Sequence, residues 1–177
     1  MKNVIFNNEY LFGGKMKKTA FLILALFLFS FNTFGYKNQK EEKAEDIPEN
    51  VMKVLNQYIE ILSKSESLDE CAQKFIKIAG GLLVNESGKK LRGDVKPYSL
   101  KKDYSNIQFY KIPPEITRVL TYDSYDGYGE SLIQGRIYKI WIDKKTEDSG
   151  MPAPISILVP KNHKFIKEPK VIGIGSL

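Results

Sequence analysis

Hydrophobic residues change their spacing at Gly80-Gly81, and this change limits the fold more than any other feature of the sequence. Before the two glycines, apolar residues recur every three or four positions, which is the spacing of an amphipathic helix. After them, short apolar runs alternate with clusters of turn-forming residues, which is typical of strands. The sequence therefore predicts helices first and a sheet after them.

Two amphipathic helices are predicted before Gly80. The first begins at Asp46, because an N-capping aspartate followed by Pro48 and Glu49 is typical of a helix start. The second begins at Ser67, where Ser67 and Glu70 form a capping-box pattern, and ends at Gly80-Gly81. We expect two buried stripes, which consist of Val51, Leu55, Tyr58, Ile59 and Leu62 in the first helix and Leu68, Cys71, Ala72, Phe75 and Ala79 in the second.

Five strands are predicted after Gly81, over residues 107–112, 115–125, 131–143, 153–160 and 171–176. One more helical turn is predicted before them, over residues 99–104. Turn residues such as Pro113-Pro114 and Asp126-Gly127 separate the strands. Because the connections are short, the strands are expected to run antiparallel, since parallel strands need long crossovers. The expected fold class is α+β, with two N-terminal helices packed on a curved antiparallel β-sheet.

This order of elements, with helices first and a long-stranded meander after them, resembles the NTF2-like (SnoaL-like) superfamily over residues 46–177. The resemblance implies a cone-shaped fold that encloses a pocket between sheet and helices. The superfamily includes isomerases, dehydratases, small-molecule binders and many exported proteins. Its enzymes commonly place an acid–base pair such as Asp–His inside the cone, whereas His163, the only histidine here, falls in a predicted turn. A cystatin-like sheet with one helix is the structural alternative.

Residues 16–35 have the three parts of a secretory signal peptide. Met16, Lys17 and Lys18 form a positive n-region, residues 20–29 form an apolar h-region, and Gly35 supplies a small side chain before a cleavage site. We therefore expect an exported protein, periplasmic or secreted, that is cleaved before Tyr36 and has no membrane segment afterwards. An uncleaved anchor is the alternative. A lipoprotein is not expected, because the first cysteine is Cys71.

The remaining domain boundaries follow from this signal. Residues 1–15 precede a suitable start at Met16, and Gly13-Gly14-Lys15 can be encoded as a purine-rich ribosome-binding sequence, so we expect a mis-called start at Met1. A genuine N-terminal extension is the alternative. Residues 36–45 are charged and almost free of apolar side chains, which predicts a solvated linker. Residues 46–177 are then expected to form a single α+β domain, a usual size for one core.

Charge and motifs exclude several function classes. Residues 1–35 carry four of the 27 basic and one of the 21 acidic residues, so the rest has a net charge of only +3. Without a clustered basic face, nucleic-acid binding is not expected. The single cysteine permits no internal disulfide. No spacing of residues indicates a metal, a cofactor or a nucleophile, so neither metal nor cofactor is expected and the catalytic residues are unknown.

Aromatic side chains and two arginines in the sheet half suggest a binding site. A three-residue turn at Asp126-Gly127 would place Arg118 opposite Arg136, and two like charges in that position need a compensating group. A bound anion would supply it, because the planar guanidinium suits carboxylates and phosphates. The hypothetical ligand site consists of Arg118, Arg136, Tyr122, Tyr138 and Trp141. The alternatives are an arginine pair open to water, or a register shift that separates the two.

Three functions remain open. The first is an exported, non-catalytic domain that binds either a small molecule, such as an anion, or an envelope protein through its sheet. The second is a lyase- or isomerase-type pocket enzyme that uses tyrosines and a carboxylate such as Asp143. The third is an immunity- or inhibitor-like protein that acts by surface contact, and a homodimer through the sheet is compatible with the first and third. A closed cavity in which a buried carboxylate meets a tyrosine would favour the enzyme.

Overall fold

The computed structural model describes residues 37–146 and 149–177, and their strands form one curved antiparallel sheet. The strands are β1 (Lys37–Glu42), β2 (Ile116–Asp126), β3 (Ile133–Ile142), β4 (Ala153–Pro160) and β5 (Lys170–Gly173). They lie side by side in the order of the sequence, β1-β2-β3-β4-β5. The antiparallel meander predicted for the second half of the chain is confirmed for β2 to β5.

Three α-helices accompany this sheet within the described residues: α1 (Glu49–Lys64), α2 (Leu68–Phe75) and α3 (Lys101–Asn106). A π-helical stretch, Val95–Leu100, leads into α3, and a 3-10 turn, Ile107–Phe109, follows it. The predicted α+β class is therefore confirmed, and the helical turn predicted over residues 99–104 lies within the π-helical stretch and α3. The strand ahead of the helices was not predicted.

The core lies between the helices and one face of the sheet, which we call the helix face. Helix α1 buries seven side chains along a single stripe: Val51, Val54, Leu55, Tyr58, Ile59, Ile61 and Leu62. The sheet meets them with Val119, Ile140, Ile142, Ala153, Ile155, Ile157 and Val171. Leu55, Cys71 and Phe75 are fully buried, as the helical spacing predicts. Burial also raises the pKa of the Cys71 thiol to about 11, so the group is an uncharged core side chain.

The helix ends differ in part from the prediction. Asp46 belongs to a 3-10 turn and caps nothing, because Pro48 occupies the N-cap position and α1 begins at Glu49. Ser67 does cap α2, as predicted, and its hydroxyl accepts a hydrogen bond from the Glu70 amide at 3.2 Å. Helix α2 ends at Phe75 rather than at the glycines, and a hydrogen-bonded turn over residues 76–79 leads the chain on to Gly80.

The predicted strand over residues 107–112 is wrong. Ile107–Phe109 continues the helical segment as a 3-10 turn, and Tyr110 forms only an isolated bridge to Lys144. Ile107 and Tyr110 are both buried, three positions apart, which is a helical spacing. The apolar run was therefore one face of a helical segment and not a strand.

The charged linker predicted over residues 36–45 is also corrected. Lys37–Glu42 forms the edge strand β1, which pairs antiparallel with β2. Its side chains are almost all exposed, so hydrophobic alternation could not reveal the strand. Lysines and glutamates on an exposed edge discourage pairing with another sheet, which is a common role of such residues.

Candidate functional site

The register of β2 and β3 decides which predicted site residues meet. Asp126 pairs with Ile133, so Arg118 lies opposite Trp141, and Arg136 lies opposite Asp123. The predicted pairing of Arg118 with Arg136 is therefore wrong. The connection is longer than three residues because it contains a 3-10 turn, Gly129–Ser131, rather than a tight hairpin turn.

The two arginines point to opposite faces of the sheet. Arg136 and Trp141 are five positions apart on one regular strand, and side chains alternate between faces along a strand. Arg118, Tyr122 and Trp141 therefore share the outer face, which is the one turned away from the helices. Arg136 and Tyr138 lie on the helix face. The five residues predicted to form one ligand site are divided between two surfaces.

Arg136 is already compensated by groups of the protein. Its guanidinium donates to Thr121 Oγ1 at 2.6 Å, to the Asn38 carbonyl at 2.9 Å and to Asp123 at 3.3 Å. Glu42 lies 3.7 Å away as a second carboxylate. The Asn38 amide and then the Arg136 guanidinium hold the pKa of Asp123 below its usual value. With two carboxylates around one guanidinium, this position does not favour another anion.

Trp141 lies in a patch on the outer face, which none of the helices in the described residues covers. The Arg118 guanidinium lies 5.1 Å from the centre of the indole ring, and the Lys139 ammonium lies 5.2 Å from it. Arg118 also donates to Glu41 on β1 at 2.9 Å. We call this surface the Trp141 patch, and it comprises Arg118, Leu120, Lys139, Trp141, Pro154 and Ser156, all of them exposed or half-buried.

The other half of the outer face is covered by the connection between β4 and β5. Tyr122 is buried there in a small apolar cluster with Ile137 and Leu158, and Ile166 from the β4–β5 connection packs onto it. Tyr122 is therefore a packing residue on the outer face. The exposed half of that face, around Trp141, is the part that remains accessible to a partner.

A buried carboxylate does meet a tyrosine in this fold, but it is Asp103 and not Asp143. The Asp103 carboxylate accepts hydrogen bonds from the Tyr58 hydroxyl at 2.7 Å, from the Gly175 amide at 2.9 Å and from the Leu177 amide at 3.0 Å. Asp143 is instead paired with Lys111 at the surface, at 2.6 Å. The sequence signal for Asp103 is an acid on the buried side of a helical segment, three residues after Leu100.

The geometry around Asp103 is that of an anchor. Both carboxylate oxygens accept hydrogen bonds from within the protein, and the side chain is fully buried. Burial raises the pKa of Asp103, and burial together with this carboxylate raises the pKa of Tyr58 well above its usual value. Tyr58 therefore keeps its proton and donates it to the hydrogen bond. The arrangement ties residues 175–177 to the helices.

The described residues contain neither a candidate metal site nor a membrane-spanning helix. Within 37–146 and 149–177, no group of three or more His, Cys, Asp or Glu side chains is arranged to hold a metal ion. None of the helices in these ranges is both long and apolar enough to cross a bilayer. The signal peptide predicted over residues 16–35 and the preceding residues 1–15 lie outside the described part of the chain.

The fold and the Trp141 patch define a small α+β protein with one uncovered half of a sheet face. Comparison with protein-family models, with curated proteins and with solved structures finds no match to this chain.

Proposed function

We propose that the protein is an exported, non-catalytic binding domain whose protein partner docks on the Trp141 patch. The observation that carries the proposal is a tryptophan flanked by an arginine and a lysine, on a sheet face that the described helices leave uncovered. Tryptophan and arginine are enriched among the residues that dominate binding energy at protein interfaces. A partner that offers an apolar contact and carboxylates would suit the ring and the two cations.

The arrangement of Asp103 supports binding rather than catalysis. Its oxygens are used to hold Tyr58 and residues 175–177, and a general base must instead reach a substrate proton. Catalysis by a pocket of the NTF2-like kind is therefore less well supported than surface contact, the mode of action of an immunity- or inhibitor-like protein.

Photo-crosslinking in the native host would test the Trp141 patch. A photoreactive residue at Ser156, inside the patch, is expected to form a discrete adduct with the partner. The same residue at Lys53, an exposed position on α1, is the matched control and should give none. Adding Trp141→Ala to the Ser156 probe should reduce the adduct by about tenfold or more, the usual effect of removing a dominant interface side chain.

The mass of the adduct distinguishes the partners. Twice the mass of the protein indicates a homodimer through the sheet, and any other discrete mass indicates an envelope protein. Adducts of equal intensity at Ser156 and Lys53, or a Ser156 adduct that is unaffected by Trp141→Ala, would contradict the proposal.

Export is supported by where the compact unit begins. That unit spans Tyr36–Leu177, and Tyr36 is the residue expected to follow the cleavage site. Cleavage there would leave β1 whole, because the strand begins at Lys37. Mass spectrometry of the protein recovered from its host is expected to find an N-terminus at Tyr36, within about two residues. Recovery of a chain that still contains residues 16–35 would exclude the cleavage.

A further inference from the structure

A cavity lies near the edge strand β5, between the segment that follows α2 and the β4–β5 connection. The cavity has a volume of about 380 Å³. Ile76, Ala79 and Val84 supply apolar walls from one segment, and Phe165 and Ile166 supply them from the other. Phe165 is 72% exposed, so a large aromatic side chain stands uncovered at this cavity. The shape and the lining of the cavity suit the apolar part of a small molecule.

Lys170 is the unusual charged group of this cavity. Its stem is held against the backbone of the Gly80 segment, since a Cβ atom on Gly80 would lie only 2.7 Å from Lys170 Cβ. Its ammonium donates to the Lys77 carbonyl at 2.8 Å. No carboxylate in the described ranges lies within ion-pair distance of it, and Glu168 acts on it only from further away. The side chain is half-buried, and burial lowers the pKa of Lys170.

Two further polar side chains with donor groups lie beside Lys170 in the cavity. Lys77 and His163 also line it, against a single acid among the described lining residues, Glu130. His163 Nδ1 accepts hydrogen bonds from the Ile166 amide at 2.8 Å and the Phe165 amide at 3.2 Å. Its Nε2 is therefore the ring nitrogen that carries a proton and can donate. A half-buried ammonium with one backbone acceptor has unused donors, and an anion satisfies them best.

We propose that this cavity binds a small organic acid, with the carboxylate on Lys170 and the apolar body against Ile76, Val84 and Phe165. The site is separate from the Trp141 patch and does not depend on it. An acidic side chain of a partner protein could also place a carboxylate on Lys170. Binding of a free small acid in the absence of any other protein distinguishes the two sources.

Calorimetric titration with three matched probes tests the proposal. Phenylacetate, which has both an apolar body and a carboxylate, is expected to bind. Phenylacetamide keeps the shape without the charge, and acetate keeps the charge without the apolar body. Phenylacetamide and acetate are each expected to bind at least about tenfold more weakly than phenylacetate. The first lacks the charge-assisted hydrogen bond and the second lacks the apolar burial, and either contribution is worth about a factor of ten.

Lys170→Met tests the residue itself. The variant keeps the length of the stem and removes a half-buried charge, so its Tm should not fall below that of the parent. Its affinity for phenylacetate should fall by about tenfold or more. Lys53→Met makes the same change of charge on the exposed side of α1 and should bind as the parent does. Equal affinity for phenylacetate and phenylacetamide, unchanged affinity in Lys170→Met, or no binding of phenylacetate to the parent would each overturn the proposal.

Discussion

Replacing Phe75 by alanine is expected to lower the free energy of unfolding by about 3–5 kcal/mol. Phe75 lies in the last turn of α2 and is fully buried, with its ring centre 5.2 Å from that of Tyr58. Truncation removes most of a large apolar side chain and leaves a cavity where the helices meet the sheet. Since a domain of this size is stable by only about 5–15 kcal/mol, the loss should be visible as a much lower urea midpoint.

Gln73→Ala is the matched control on the same helix. Gln73 is exposed, so its truncation should change the free energy of unfolding by less than about 0.5 kcal/mol. Far-UV circular dichroism in urea would measure both variants, and the single tryptophan, Trp141, gives an independent fluorescence signal. A loss below about 1 kcal/mol for Phe75→Ala would mean that the ring is not packed as the structure describes.

The parts of the fold that the sequence predicted well are those in which one periodicity dominates. Helix α1 buries one stripe, and the predicted residues Val51, Leu55 and Tyr58 all lie in it. Strand β4 has the bounds that were predicted, because prolines at 152 and 160 bracket a run rich in β-branched residues. In both elements, local preference and burial indicate the same structure.

The errors arose where a local pattern admits two interpretations. Leu100, Ile107 and Tyr110 are buried at spacings compatible with a helix, but Ile107 begins a short run that also looks like a strand. The charged strand β1 carries no apolar alternation, because it lies at the edge of the sheet and is held by backbone pairing with β2 and by polar contacts such as that of Glu41 with Arg118. The segment forms a strand because it pairs with β2, which is distant in the sequence.

The predicted site was divided because the length of one turn depends on a distant residue. The Ser131 amide donates to the Glu86 carbonyl at 2.9 Å, and its hydroxyl donates to the Tyr128 carbonyl at 2.8 Å. Gly127 and Gly129 both adopt positive φ, at 99° and 57°, so the two glycines together support a longer connection. Contact with residue 86 has no local sequence signal, and the change in register moved Arg118 and Arg136 to opposite faces.

Replacing Asp103 by alanine is expected to cost about 3–5 kcal/mol, because three donors lose their acceptor at once. The Tyr58 hydroxyl and the amides of Gly175 and Leu177 would remain in or near the core without a partner, and each unsatisfied group costs about 1–3 kcal/mol. Tyr58→Phe is the control that removes one donor and keeps the carboxylate, so it should cost only about 1–2 kcal/mol. Urea unfolding measures the free energy of unfolding of both variants. A smaller loss of stability for Asp103→Ala than for Tyr58→Phe would contradict the role of Asp103 in holding residues 175–177 to the helices.

Burial and hydrogen bonding shift the pKa of Asp103 in opposite directions, and the pH dependence of the stability of Asp103→Asn shows which effect is larger. Burial, the larger of them, raises the pKa of Asp103 above 3.8, so the folded protein binds this proton more tightly than the unfolded chain does. The parent should therefore lose stability as pH rises from about 3.8 through the folded pKa, whereas Asp103→Asn has no such proton to lose. Carboxylates such as Asp123, whose pKa is lowered, titrate alike in both proteins and cancel in the difference. The destabilisation caused by Asp103→Asn should accordingly shrink as pH rises from 4 to 7 in parallel urea titrations. Growth over the same range would mean that the three hydrogen bonds outweigh burial, so that folding lowers the pKa of Asp103 instead of raising it.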